Sequence, residues 1–587
     1  MNPFSIKTPE TLTPDNIASL FVDVFSDFPR ILAQEHTFIQ GARGTGKSMM
    51  LRYLEPLVQL AAHQVSEVSE LKHFSVHVPI KTANYCLAEL ERLDGAPYWL
   101  LAEHLLILNA SYHIASSVEN LFDSEEYSKD PEIRKYVSDV IDLTIASGSI
   151  IDSSNNGSDL KYLPRLFSRE RAAAKHYVGK LSFIKEMVPY EGAIFSYEDF
   201  FLPYIRLTKK LSCSPSGPIF LMLDDADNLP LRMQQILNDW VSYRTTNDIC
   251  LKVSVQKKYK TWRTSQGILI ESPHDYADID INTFYTSKQY SNYYDRVEKI
   301  VQRRLEMAGF KNTNPIDFFP ANELQNKELS DIAEKIKLDW DGGEKVSSRK
   351  SDDVRRYAVS EYLKALAKDK KTNMYSYAGF RSLVDLSSGM VRFFLESASR
   401  MYSELVANHN AINYECIPIE VQDRVLYKWS EEYALAELDK IKSDETSQSI
   451  VNLRKVERLK RLINSFGECF QKKLVSSDSE RHFISFMVTR ETSYEVQEVL
   501  DLAIEWGYLT VKTIARKEGA GRNLVYTMNR RLAPHFKLDP SGYAAHMSVT
   551  PEHLLLAIEN PRAFISARLK VSDPSIPEIQ KSLNFED

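Results

Sequence analysis

Eight consecutive residues, Gly41-Ala-Arg-Gly-Thr-Gly46-Lys47-Ser48, fit the pattern G-x-x-x-x-G-K-[ST] at every fixed position. The chemistry served by that pattern is the holding of a phosphate chain. Glycines let the backbone turn tightly, so that successive N–H groups converge on an anion. The expected contact stretch is Gly41, Ala42, Arg43, Gly44, Thr45, Gly46, Lys47, Ser48 and Met49, with the dipole of the following helix adding to it. Lys47 is placed to reach β- and γ-phosphates, and the Ser48 hydroxyl to ligate Mg²⁺. A second chemical site is "GPIFLMLDDADNLP", where an apolar run from Ile219 to Leu223 ends in Asp224-Asp225. A carboxylate at such a strand end holds Mg²⁺ through water, which assigns Asp224 to the metal. The adjacent Asp225 is assigned to orienting or activating the attacking water.

These groups need rigid elements behind them. "HTFIQ" reads as a short strand entering the glycine loop, and "SMMLRYLEPLVQLAA" leaves it with a helical apolar period. The run Ile219 to Leu223 suits a central parallel strand buried on both faces. The fold class expected is therefore α/β with a parallel sheet. At 587 residues, 43% hydrophobic and 26% charged, the chain is globular in composition and too long for one core. Its five cysteines are scattered and form no CxxC pair, which argues against a disulfide framework and a zinc module. The N-terminus has no basic-then-apolar signal pattern. The longest apolar run, "PYWLLAEHLLILNASYHI", is broken by Glu103 and His104 and reads as a buried helix rather than a membrane span. A cytoplasmic protein with no membrane partner is expected. The net charge of −7 gives no whole-chain basic signature, so any nucleic-acid contact must be local.

"GARGTGKS" with "LMLDDADNL" resembles the Walker A and Walker B pair of AAA+ ATPases, and most closely ATPases similar to the origin-recognition and Cdc6 proteins with their bacterial relatives. The resemblance implies ATP as the nucleotide. It departs at one place: the usual Walker B ends in Asp-Glu, and here Asp225 sets its carboxylate back by one methylene. Errors of about 1 Å in such positioning can cost 10²-fold in rate. In "DICLKVSVQ" the resemblance implies a polar sensor near the γ-phosphate, with Ser254 the best match and Gln256 the second. It makes Arg263, in "KKYKTWRTSQG" ahead of a last strand in "YADIDINTF", the candidate for reaching a neighbouring subunit's nucleotide. In Gly389-Met-Val-Arg392 it implies a sensor arginine, Arg392, on a helical lid. The domains expected are an ATPase core over 1–290 with a helical insertion at about 85–210, and a lid over 291–412. Flexible stretches are expected at "IASGSIIDSSNNGSDLKYL" and "DWDGGEKVSSRKSDD".

In the C-terminal third, a helix, the strand "RHFISFMV", the helix "SYEVQEVLDLAIEWG" and a two-stranded hairpin follow in the order of a winged helix, expected over 413–540, with a helical tail over 541–587. Residues 451–540 hold 16 Lys+Arg and 11 Asp+Glu, a net of +5, which leaves −12 for the rest (57 basic against 69 acidic). Arg516, Lys517 and Arg522 fall on the presumed wing tip, and Arg530 and Arg531 follow the hairpin. These make double-stranded DNA the expected nucleic-acid partner. The acidic "SYEVQEVLDLAIEWG" instead suits a protein-docking use. The expected function is an ATP-binding and hydrolysing switch that couples nucleotide state to DNA binding or effector recruitment, with self-association through the ATPase core. The weaker resemblance is to mobile-element or anti-phage proteins. The alternatives are a non-catalytic adaptor that holds protein partners and a DNA-binding regulator.

Overall fold

The computed structural model describes residues 2–5, 9–22, 28–85, 88–122, 130–150, 159–183, 189–243, 247–256, 259–281, 290–339, 347–368, 374–409, 415–436, 438–439, 450–476, 483–515, 522–540 and 546–569. The chain divides into two compact units, Lys7–Gln289, and Met1–Ile6 with Tyr290–Asp587.

The first unit is built on a five-stranded sheet of order β2-β3-β4-β1-β5. Its strands are β1 (Thr37–Gln40), β2 (Phe74–Pro79), β3 (Ile219–Asp224), β4 (Ile249–Val255) and β5 (Ala277–Asp280), and every pairing is parallel. All residues of β3 and β4 are buried, which is why both read as near-continuous apolar runs. β4 lies between β1 and β3 in the sheet. Register places Ile39 beside Ser254 and Leu223 beside Val253, so the glycine loop and the acidic strand end emerge on either side of Ser254.

Between β2 and β3 come the helices Ala96–Phe122, Pro131–Ala146, Tyr162–Lys180 and Leu202–Lys209. They are not an appendage. Leu105, Val137, Phe167 and Tyr204 belong to the same buried cluster as Val76, Leu221 and Val253 of the sheet. Beyond β4, Arg263 and Leu269 pair in a short hairpin ahead of β5.

Polar groups inside this unit fix the approach to β1. Lys252 is fully buried, yet its ammonium donates to Ala33 O (2.7 Å), Glu35 O (2.9 Å) and Thr37 Oγ1 (3.0 Å). It also lies 4.5 Å from the centre of the Phe220 ring. Burial lowers its pKa to about 8. The three acceptors pin the residues that feed the strand carrying the loop. His36 accepts the Leu251 N–H through Nδ1 (3.0 Å), and His104 accepts the Phe195 N–H in the same way (3.0 Å).

In the second unit, Phe4 packs against Phe318 and Phe319, with ring centroids 5.8 and 5.5 Å away. The C-terminal sheet has the order β7-β8-β6-β9, with β6 (Ser485–Val488), β7 (Leu509–Ala515), β8 (Arg522–Met528) and β9 (His546–Val549). β6 is antiparallel to β8 and parallel to β9. The long helix Ile450–Val475 packs against the helices Tyr494–Glu505, Pro551–Glu559 and Pro561–Leu569. β9 falls in a stretch read from sequence as helical tail; its four residues are too short a run to announce a strand. Ser347–Lys368 is helical, so the second half of "DWDGGEKVSSRKSDD" begins a helix, while residues 340–346 lie outside the described residues, as do 151–158 of the first expected flexible stretch. Among the described residues, no helix is long and apolar enough to cross a membrane.

The buried histidines set a pH dependence. Burial lowers His36 to about 4 and His104 to about 3. Both are neutral acceptors in the fold, whereas the unfolded chain takes up their protons below about pH 6.5. The unfolded state therefore binds more protons in the window from 6.5 down to about 4, and stability falls as pH falls. The two rings together should contribute a slope of roughly 2–3 kcal/mol per pH unit near pH 5. Urea denaturation between pH 7 and 4.5 should show it, and His104→Gln should remove about half; an unaltered slope in that variant would count against the assignment.

Candidate functional site

The loop after β1 turns through two left-handed glycines, Gly44 (φ 92°) and Gly46 (φ 100°), conformations that a side chain would strain. Gly41 N–H donates to Val255 O (3.0 Å), tying the loop's origin to β4. Thr45 Oγ1 closes the turn on Ala42 O (2.9 Å). Lys47 opens the helix Lys47–Tyr53 and is 5% exposed. Its ammonium folds back onto the loop, donating to Gly41 O (2.6 Å) and Ala42 O (3.2 Å). Burial lowers its pKa, against the pull of Asp225, Asp224 and Asp227. Arg43 is exposed at the loop tip. Met49 packs among the apolar neighbours of Ile17 and Val58.

Asp224, 2% exposed at the end of β3, is the centre of a buried polar network. Ser254 Oγ donates to its Oδ1, and His77 Nε2 lies 3.1 Å from its Oδ2. Burial alone would raise its pKa, but hydrogen bonds from His77, Ser254 and Ser48 prevail and bring it to about 2. The same Ser254 oxygen accepts the Asp225 N–H (2.9 Å). Asp225 itself is left-handed (φ 57°, ψ 46°), a conformation that Asp tolerates better than most residues, and it turns the chain out of the strand. Its carboxyl is pushed up by burial and then by the Asp224 charge. Asp227 Oδ1 accepts the Gln256 N–H (3.0 Å).

A hydroxyl from Ser48 and a carboxylate from Asp224, close enough for the hydroxyl to help hold the carboxylate ionised, form the hard-oxygen donor pair that suits Mg²⁺ shared with phosphate oxygens. Lys47 donates to two loop carbonyls and, among the described residues, makes no ion pair with a carboxylate that a phosphate would have to displace. The residues present thus fit Mg²⁺ with a nucleoside triphosphate.

The sequence-predicted residues fall into three groups. Lys47, Ser48, Asp224, Asp225 and Ser254 come together, with Ser254 acting through both aspartates. Arg263 is exposed on the hairpin, its Nη1 donating to Gly267 O (2.8 Å) and its own carbonyl accepting from Asn238 Nδ2 (2.8 Å). Arg392 belongs to the other unit, half-buried as the second residue of the helix Val391–His409. Arg522 is exposed at the start of β8, while Arg516 and Lys517 lie outside the described residues.

Two residues that sequence reasoning passed over join the network. His77 is a lone histidine on β2, 147 residues from Asp224, and only the sheet register brings them together. Asp227 sits three residues past the end of β3, in a position that an adjacent-carboxylate motif does not mark.

The basic count of residues 451–540 is also modified by the fold. Lys455 pairs with Glu498 (2.8 Å), Arg458 with Glu495 (3.3 Å) and Glu559 (2.8 Å), and Lys460 with Asp439 (2.8 Å). Arg531 is 3% exposed, its guanidinium 4.2 Å from the Trp429 ring and 4.3 Å from that of Tyr433. Arg530 is buried as well. Much of the local positive charge is engaged inside the fold.

Removing the Ser254 hydroxyl should orphan the Asp225 N–H and one oxygen of Asp224 together. Ser254→Ala is expected to destabilise the chain by about 1–3 kcal/mol in urea denaturation. Unchanged stability would mean that the hydroxyl does not hold the two aspartates.

A family model described as ORC-CDC6-like matches residues 2–549. No curated protein matches the chain.

Proposed function

The chain belongs to the ORC-CDC6-like family, one of AAA+ nucleotide-binding proteins, and from that premise we propose that it is an ATP-hydrolysing switch. The observation that carries this reading is that one serine hydroxyl, Ser254, ties Asp224 and Asp225 together at a strand end whose charges act on Lys47 of the glycine loop. In the proposed mechanism, Lys47 leaves the loop carbonyls for β- and γ-phosphate oxygens. Ser48 and Asp224 would hold Mg²⁺, which would supply positive charge against that developing on the phosphates. Asp225 orients the attacking water and accepts its proton. Its raised pKa favours that role, since a base nearer neutrality takes a proton more readily. His77 and Ser254 fix the Asp224 carboxylate from two sides and so set where the metal sits.

The nucleotide state is proposed to control engagement of double-stranded DNA or an effector, in a mobile-element or anti-phage setting. Arg522, with Arg516 and Lys517, is the proposed DNA contact of a winged-helix module. A second reading has support of its own. The helix Tyr494–Glu505 carries Glu495, Glu498, Asp501 and Glu505, and Arg530 and Arg531 are buried. That surface suits a protein partner better than a phosphate backbone. In this reading the chain is an adaptor whose nucleotide is structural.

Steady-state ATP hydrolysis with and without double-stranded DNA separates the two. The switch predicts turnover that rises with DNA and vanishes in Lys47→Ala. It also predicts that Asp225→Asn lowers kcat by about 10²–10⁴-fold while ATP binding persists. ATP binding without turnover, with function intact in Asp225→Asn, would leave the adaptor reading standing.

A further inference from the structure

The helical insertion contains a half-buried arginine with no carboxylate. Arg171, on the helix Tyr162–Lys180, donates from Nη1 to Asn109 Oδ1 (2.9 Å) and lies 4.8 Å from the centre of the Tyr112 ring. Among the described residues it makes no ion pair. Two other basic side chains lie within reach of its charge. Lys175 lies one turn further on, and Arg171 adds to burial in lowering its pKa. Burial first, and then His77, Arg171 and Lys81, bring His113 down to about 3. A cation withdrawn from water among like charges is unfavourable unless an anion accompanies it.

Two further groups at this place lack partners. Asn109 is 2% exposed, and its Nδ2 is buried without an acceptor. Because Oδ1 is fixed by the arginine donor, the amide cannot gain by flipping. Tyr85, on the short turn Thr82–Tyr85 that follows β2, is 2% exposed with its hydroxyl unpartnered. The Arg171 charge is felt at that hydroxyl, opposing the upward push of burial. The amide N–H₂ and the phenol have hydrogens to give and no acceptor to receive them, and the guanidinium has N–H groups beyond the one that Asn109 Oδ1 receives. A tetrahedral oxyanion, with several lone pairs on each oxygen, complements that set, and arginine's planar fork matches it in shape.

We propose that Arg171, Asn109 and Tyr85 form a binding site for a phosphate group in the helical insertion, separate from the glycine loop. Free phosphate and the terminal phosphate of a nucleotide share the chemistry that it recognises. The two cations have different partners: Lys47 is held by the loop carbonyls of Gly41 and Ala42, and Arg171 by Asn109. The two sites are linked through β2: the strand carries His77 to Asp224, and its continuation carries Lys81 and Tyr85.

The test is calorimetric titration of the full chain carrying Lys47→Ala, with inorganic phosphate in one arm and ATP in the other. Phosphate should bind this background, and adding Arg171→Gln should weaken it by roughly tenfold or more. ATP heat with the same dependence on Arg171 would assign the site to a nucleotide's phosphate; heat from inorganic phosphate alone would assign it to the free anion. Asn109→Asp guards against a folding defect in the arginine variant, since it places a carboxylate where the anion belongs. It should raise the thermal midpoint in phosphate-free buffer and abolish the titration. No heat from either ligand, equal binding in Arg171→Gln, or a lowered midpoint in Asn109→Asp would each overturn the proposal.

Discussion

A carboxylate at the end of a wholly buried strand has to be kept ionised, and the organisation of the first unit follows from how that is done. Asp224 loses its water on folding, and desolvation favours the neutral acid. Hydrogen bonds to its two oxygens reverse the balance, and each comes from a different element: Ser254 from β4, His77 from β2, and Ser48 from the helix after the glycine loop. The order β2-β3-β4-β1-β5 is what allows this, because it puts the donor strands on both sides of β3. The Ser254 hydroxyl donates to one aspartate and accepts from the backbone of the next, so the carboxylates proposed to hold the metal and to orient water share one anchor. Buried networks of this kind tolerate no missing member, since the remaining groups then lie unpaired in a low dielectric.

How much of this the sequence carries depends on whether the signal is local. The glycine loop is contiguous, and its spacing alone names Lys47 and Ser48. Asp224 is legible because five apolar residues precede it, a pattern that a strand buried on both faces requires. Ser254 is legible only through the family resemblance, as one polar residue on a strand. His77 is not legible, because nothing near it in the chain distinguishes it from any histidine on a strand. Lys252 shows the same limit. In "CLKVSV" it reads as an ordinary polar alternation, while its three acceptors lie more than two hundred residues upstream.

Charge counting fails for a related reason. A net of +5 over residues 451–540 is a sum over side chains, and partners matter more than sums. Lys455 and Arg458 of the long helix neutralise Glu498 and Glu495 of the helix Tyr494–Glu505. Arg531 has left the surface to lie against aromatic rings, where a guanidinium's weak hydration makes burial tolerable. What remains available for phosphate contact in the described part of the hairpin is chiefly Arg522 and Lys512. A DNA role for this module therefore rests on few residues, because the pairs that neutralise Glu498 and Glu495 use up Lys455 and Arg458 as well.

The same accounting, applied to the glycine loop, says what kind of ligand the proposed switch can accept. The charges that act on Lys47 are three carboxylates, Asp224, Asp225 and Asp227, and one further cation, Arg43. Two positive against three negative groups leave no surplus to receive a triphosphate. Lys47 faces a choice between the loop carbonyls and the phosphates, and its charge alone does not decide it. Mg²⁺, which Ser48 and Asp224 would hold, would add positive charge beside the phosphates and so favour binding of metal and nucleotide together. On the proposed reading, the metal is thus part of the ligand rather than an accessory to turnover. The grip of Ser254 and His77 on both oxygens of Asp224 also fixes the backbone from which, on that reading, the shorter Asp225 would have to reach its water.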